Sequence, residues 1–378
     1  MNIAIVCYPT FGGSGVVATE LGLALSKKGH QIHFITYRLP VRLETLNDPN
    51  IHFHEVNIPD YPLFKYQPYE LALSSRLVDV VKANEIDVLH VHYAIPHAYA
   101  AYMAKKMLLD IGIQIPMVTT LHGTDITLVG SHPFYRPAVT FSINHSDRVT
   151  AVSESLRNDT LRLFDIKKKI DVIPNFIDTN KIKAKGKPCE RSLLAEKDEK
   201  ILTHISNFRP LKRILDVIAI FEGVQPKVKS KLMMVGEGPE KIKAIQYVKE
   251  KNLQDQVLFL GNSNEIDKIL CFSDLFLLPS EKESFGLSAL EAMAHGVPII
   301  SSDAGGLPEV NLHEKTGFIS KIGDTQDMVQ NALSLLENEE KHQTFNKQAQ
   351  HHAEKFNLET IVNQYETIYA DAIASIHY

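Results

Sequence analysis

In the run Glu283-Ser-Phe-Gly-Leu-Ser-Ala-Leu-Glu291, continued by Ala-Met-Ala-His-Gly-Val-Pro298, two glutamates stand eight positions apart around a Ser284-Phe285-Gly286 turn that opens a helix. At a rise of 1.5 Å per residue their carboxylates would lie roughly 12 Å apart along the axis, wide enough to hold both ends of an extended ligand. Between them the N–H groups of Phe285, Gly286 and Leu287 are expected free, at the end of a helix that favours negative charge. A diphosphate flanked by sugar hydroxyls, the form of a nucleotide-sugar, matches this layout. The pair alone is read more simply as two solvated glutamates on an ordinary helix. The Phe-Gly turn and the Gly-Val-Pro segment shift the balance to a ligand site.

Other loops carry chemistry of the same kind. Arg209 and Lys212, in Ser206-Asn-Phe-Arg-Pro-Leu-Lys-Arg213, can neutralise a diphosphate without a metal. A solvated basic turn is the alternative, but cations are misplaced at a helix N-terminus unless an anion binds there. Gly236, in Val235-Gly-Glu-Gly-Pro239, marks a nucleotide-side loop, and Asp303-Ala-Gly-Gly-Leu-Pro-Glu309 is either a further site loop or a turn and cap. Near the N-terminus Gly13, Gly15 and Ala18 satisfy the dinucleotide pattern G-x-G-x-x-A, a weak match alone. No acidic residue follows the second strand, where Thr36-Tyr37-Arg38 stands, so an NADP site on Arg38 ranks low. Close backbone approach to an acceptor or phosphate is the better use for these glycines, with a tight turn as the plain alternative. His122, in Thr119-Thr-Leu-His-Gly-Thr-Asp125, ends a strand before a glycine and can reach a sugar hydroxyl; a lone histidine is more often structural. Tyr93 shares that rim, and His90 and His92 lack a third ligand for zinc.

Strand-to-helix loops must hold these residues. Short β-branched runs alternate with helical patterns, predicting an α/β chain with parallel sheets covered by helices. The first half reads as strands at 3–7, 31–36, 52–56, 88–92, 117–121 and 148–152, the second at 201–206, 231–235, 257–260, 275–278 and 297–301. Two domains result, residues 1–175 and 176–357, joined near the lysine-rich stretch 178–200. A final helix at about 358–378 is expected to pack back on the first domain. Ligands of open parallel sheets bind beyond the carboxyl ends of the strands, which is where the motifs fall.

Composition narrows the function. With 378 residues, 44% hydrophobic and 22% charged, the chain fits two globular domains. A net charge of −5 argues against nucleic acid as a main partner. Cys7, Cys189 and Cys271 lack metal-ligand spacing and read as reduced thiols of a cytoplasmic protein. No signal peptide, membrane span or basic amphipathic helix is predicted, and Lys167-Lys168-Lys169 reads as solvated surface.

Together the glutamate motif, Arg209-Pro-Leu-Lys212, His122-Gly-Thr-Asp125 and Gly12-Gly-Ser-Gly15 resemble glycosyltransferase family 4, the retaining GT-B enzymes, over nearly the full chain. Cys7-Tyr-Pro, Gly12 to Gly22, His90 to His97 and Thr119 to Ile126 are similar to the branch that joins N-acetylglucosamine to malate in bacillithiol biosynthesis. The resemblance implies two Rossmann-like, doubly wound parallel-sheet domains facing an interdomain cleft. It implies UDP-GlcNAc (UDP-N-acetylglucosamine) on the second domain and L-malate on the first, with no metal cofactor. The catalytic set would be His122 beside the transferred sugar, Arg209 and Lys212 on the diphosphate, and Glu283 on the sugar hydroxyls. Gly15, Gly236, Ser284, Phe285, Gly286 and Leu287 would complete the donor site, with Glu291 on the uridine ribose. Gly13, Ser14, Lys65, Tyr93, Thr119 and Arg136 would bind the acceptor, the two cations answering its carboxylates. One departure stands out: many relatives carry arginine where this chain has Asn207. The rival readings are another acceptor, such as a sugar phosphate or lipid-linked glycan, and a non-catalytic nucleotide-sugar sensor. Self-association is left open.

Overall fold

The computed structural model describes residues 1–376 apart from 11, 41–42, 44–47, 59, 61, 185–190, 192–194 and 197. The chain divides into one unit of Met1–Asn175 with Leu358–Tyr378 and a second of Phe176–Asn357. In the first unit, strands β1 (Asn2–Val6), β2 (Gln31–Thr36), β3 (Ile51–Glu55), β4 (Val88–His92), β5 (Met117–Leu121), β6 (Arg148–Ala151) and β7 (Ile170–Val172) form one sheet. Its order is β3-β2-β1-β4-β5-β6-β7, every pairing parallel. The second unit holds β8 (Lys200–Ile205), β9 (Ser230–Val235), β10 (Val257–Gly261), β11 (Leu275–Leu278), β12 (Ile299–Ser302) and β13 (Gly317–Ser320). Their order is β10-β9-β8-β11-β12-β13, again parallel throughout. Strands covered on both faces read as unbroken apolar runs, which is why β1 and β11 are so plain in the sequence.

Each sheet reverses its winding once, between β1 and β4 and between β8 and β11. Successive helices leave such a point in opposite directions, so the loops there diverge and open a crevice. The segments that follow β1 and β4 carry Gly13–Gly15, at the start of a helix, and Tyr93; those that follow β8 and β11 carry Arg209–Lys212 and Glu283–Leu287. Both edge strands missing from the sequence reading, β7 (Ile-Asp-Val) and β13 (Gly-Phe-Ile-Ser), are short, with too few apolar residues to register as runs. Cys7 is buried and free, whereas Cys271 is disulfide-bonded, which corrects the expectation of three reduced thiols. Its sequence position, without a neighbouring cysteine, offered no signal for that bond.

The helix Leu358–Ala374 belongs to the first unit, where Tyr365 and Tyr369 are among the largest fully buried side chains. Tyr369 Oη lies 2.7 Å from His90 Nδ1, and Thr120 Oγ1 lies 2.8 Å from His90 Nε2. In the second unit Phe208, Phe221, Leu232, Met234 and Leu277 share the core with the inner faces of the covering helices. Asn311 sits fully buried at its far end, donating to Ser301 Oγ at 2.9 Å and Phe318 O at 3.1 Å while accepting from Thr316 Oγ1 at 3.0 Å. That network joins β12 to β13 through a side chain whose polar atoms are all used.

His90, His97 and His204 are each wholly buried, and burial lowers their pKa values to about 3, about 4 and about 4. A histidine depressed in the folded chain titrates first in the unfolded one. Stability is therefore whole above the ordinary value of 6.5 and drains away as pH falls toward 4. At pH 5 each of the three costs on the order of 2 kcal/mol, so the melting temperature should fall by about 5–15 °C between pH 7 and pH 5. Thermal melts at the two pH values test this; superimposable curves would contradict it.

Candidate active site

The second unit gathers its candidate residues on two loops that touch. After β8 the chain passes through Phe208, whose φ of 38° is left-handed, and into the short 3-10 turn Pro210–Lys212. Phe208 carries this strain because its ring is fully buried in the core. Gly236, at φ 125°, passes under the turn so closely that a Cβ there would stand 1.8 Å from Ser206 O. No other residue fits, so Gly236 shapes this loop whatever else it contacts. Arg209 is exposed, and no described residue engages its guanidinium. Lys212 is ion-paired with Glu283, both side chains about 85% withdrawn from solvent, at 15% and 14% exposure. Ser280 Oγ stands 3.5 Å from the same carboxylate.

The Glu283 loop is held by backbone. Glu281 N donates to Leu211 O at 2.7 Å, joining it to the basic turn, and Gly306 N donates to Glu283 O at 2.9 Å. A Cβ on Gly305 would meet Glu283 O at 2.0 Å, so the Asp303–Gly306 loop is the floor on which this segment lies. The helix itself begins only at Leu287, with Gly286 as its left-handed N-cap at φ 99°. Glu283 thus precedes the helix, and the 12 Å spacing inferred for a continuous helix does not apply. Among the described residues, no acceptor receives the N–H groups of Phe285, Gly286 or Leu287. Phe285 turns its ring into the interior, 3% exposed and edge-on to Phe356 at 5.6 Å, so only its backbone faces the site. Ser284 lies in the bend, and Glu291 is half-buried one turn further along the helix. Taken together these loops offer two cations, three free N–H donors and a carboxylate, suited to a diphosphate joined to a polyhydroxyl group.

The first unit gathers Ser14, Tyr93 and His122. Ser14 Oγ is 2.7 Å from Tyr93 Oη, the Tyr93 and His122 rings are 5.2 Å apart, and His122 Nε2 is 2.8 Å from His92 Nδ1. Tyr93 holds a left-handed backbone at φ 84°. Asp125, 2% exposed, secures both loops by accepting from Ala94 N at 2.8 Å, Gly123 N at 3.0 Å and His122 N at 3.3 Å. Burial raises its pKa to about 6 despite those donors. Asp125 was quoted in the sequence motif without a role, and its acidic side chain two places after Gly123 was the available signal. Burial also lowers the His122 pKa to about 3, with His97 adding to the effect, so the ring is neutral.

Not every expected residue joins these groups. Thr119 is fully buried and its hydroxyl meets Ser146 Oγ at 2.8 Å, so it is no surface contact for an acceptor. Thr120 is equally buried, because β5 is covered on both faces, and the residue types alone do not show that depth. Arg136 donates to Leu163 O and lies 5.8 Å from the Phe164 ring, while exposed Lys65 lies 5.6 Å from the Tyr66 ring. Neither touches the Ser14–Tyr93 pair. Gly13 is exposed at the first helical position, and Gly15 is buried where a Cβ would meet Thr10 O at 2.5 Å. Gly15 is thus required by packing within its own loop. Among the described residues no cluster of His, Cys, Asp or Glu has the form of a metal site.

Comparison with known proteins places the chain in a family. Residues 11–181 match the model described as Glycosyltransferase Family 4, and residues 189–352 match Glycosyl transferases group 1. The chain is 48% identical to N-acetyl-alpha-D-glucosaminyl L-malate synthase of Bacillus anthracis, over 99% of this chain and 97% of that protein. It is 23% identical to 2-deoxystreptamine N-acetyl-D-glucosaminyltransferase of Niallia circulans, over 97% of this chain and 99% of that one. Among solved structures, Anabaena HepE in complex with UDP and glucose shares the fold with a TM-score of 0.81, at 20% identity over 98% of this chain and 99% of that one. On the two family matches and the full-length relative, the chain belongs to the family 4, group 1 glycosyltransferases and has their GT-B fold.

Proposed function

We propose that the chain moves N-acetylglucosamine from UDP-GlcNAc to the hydroxyl of L-malate, with retention at the anomeric carbon, and so supplies bacillithiol biosynthesis. The observation that carries this reading is the 48% identity, from end to end, with the malate synthase of Bacillus anthracis. The second unit takes the donor. Lys212 and Glu283 neutralise each other, and a bound diphosphate competes for the ammonium group, freeing the carboxylate for sugar hydroxyls. The N–H groups of Phe285, Gly286 and Leu287 and the Arg209 guanidinium complete the phosphate contacts, and Glu291 takes the uridine ribose.

In the reaction the malate oxygen bonds to the anomeric carbon as the bond from that carbon to the diphosphate breaks. The departing phosphate oxygen accepts the malate proton on the same face, which accounts for retention without a carboxylate nucleophile. Arg209 and Lys212 stabilise the charge gathering on UDP, so the scheme uses no metal cofactor. His122, neutral and half-buried, lies beside the transferred sugar. The Ser14–Tyr93 hydroxyl pair receives malate in the first unit. A cytoplasmic setting belongs to the same proposal; among the described residues no helix is long and apolar enough to cross a membrane.

Purified protein mixed with UDP-GlcNAc and L-malate is expected to release UDP and yield a GlcNAc–malate conjugate at equal rates with and without EDTA. No conjugate in either condition, or with added divalent metal, would refute the assignment. Lys212→Ala should lower kcat by about 10²–10³-fold, the loss seen when one charge-stabilising donor is removed, with the KM for malate little changed. Undiminished turnover in that variant would remove the basic turn from the phosphate site.

A further inference from the structure

The strained turn that presents Arg209 needs something to hold it, and a hydrogen-bond chain of fixed direction runs to it from the core. His204, on β8, is fully buried. Its Nδ1 lies 2.8 Å from Leu277 O on the neighbouring β11, and a carbonyl only accepts, so Nδ1 carries the proton. Its Nε2 lies 2.7 Å from Ser206 Oγ. A neutral ring protonated at Nδ1 accepts at Nε2, so the Ser206 hydroxyl donates to it. The same Oγ then accepts from Phe208 N at 3.3 Å, at the residue whose φ is 38°. Every proton in the series is placed by the carbonyl at its start.

We propose that His204 is a positioning residue for donor binding, setting the Asn207–Arg209 turn through Ser206 and thereby aiming the phosphate-binding cation. The inference rests on the reading of Arg209 and Lys212 as the diphosphate contacts. Three features localise the effect to the turn. Ser206 and Phe208 flank Asn207, Gly236 and Gly238 press against the carbonyls of Ser206 and Asn207, and Glu240 N donates to Phe208 O at 3.0 Å. The turn is clamped from below by glycines and from behind by Ser206, so losing Ser206's anchor leaves its outward face free to shift. Glutamine spaces its amide nitrogen and oxygen much as the ring spaces Nδ1 and Nε2, and so can serve both ends of the chain. Leucine fills the volume and serves neither.

UDP binding to the full chain by calorimetry tests the proposal on His204→Leu, His204→Gln and Ser206→Ala. His204→Leu and Ser206→Ala should each weaken UDP binding by about tenfold or more, since small misplacements of a binding group cost up to about 10²-fold. His204→Gln should stay within about twofold of the parent, and the double variant His204→Leu/Ser206→Ala should be no weaker than either single one, because both break the same chain. The KM for the acceptor should not move. Parent-like UDP affinity in folded Ser206→Ala overturns the inference, as does additive loss in the double variant. Should His204→Leu fail to melt cooperatively, Ser206→Ala and His204→Gln carry the test. A parent chain that does not bind UDP would instead refute the donor reading on which this rests.

Discussion

An imidazole stripped of water persists in a protein only without charge, and each of its two nitrogens then has a fixed role, one donating and one accepting. Both units exploit this on or beside their strands. His90 joins β4 to Thr120 and to Tyr369, His97 fixes its Nδ1 on the His92 carbonyl at 2.6 Å, and His204 links two strands of the second sheet. A charged side chain could not occupy these places, and an apolar one could not reach two partners. The loops that follow these strands inherit their positions from the rings beneath them.

Charge gathers on the loops of the second unit. The basic turn and the free N–H groups after Glu283 concentrate positive potential in the second unit, and the Glu283 carboxylate neutralises Lys212. Glycines set the spacing between these segments by letting one backbone lie against another. The first unit is nearly the inverse. It presents hydroxyls and a neutral imidazole, held by a carboxylate, Asp125, that is itself spent on three backbone donors.

Much of this was readable from residues alone, and the exceptions have physical causes. The eleven strands expected from the sequence are all present in the sheets, and those buried on both faces, such as β11, left an unbroken hydrophobic record. β7 and β13 escaped because an edge strand of three or four residues needs little apolar surface. Glu283 and Glu291 were placed on one helix because a helical pattern does not reveal where its first turn begins; Gly286 does, through a backbone angle invisible in composition. Thr119 was named for its chemistry, and it is buried because β5 lies inside the sheet with both faces covered. Asp125 and His204 went unassigned because their work is done through backbone groups, which carry no side-chain signature.

The C-terminal helix gives the chain an unusual order of completion. The second unit is one continuous stretch, Phe176–Asn357, while the first is interrupted and recovers its last element from Leu358 onward. A ribosome therefore delivers everything the second sheet requires while the first, though begun earlier, still lacks Tyr365 and Tyr369. Until those rings arrive, the cavity they fill stays open and His90 waits for its phenol. The part of the protein made first is the part that must finish last.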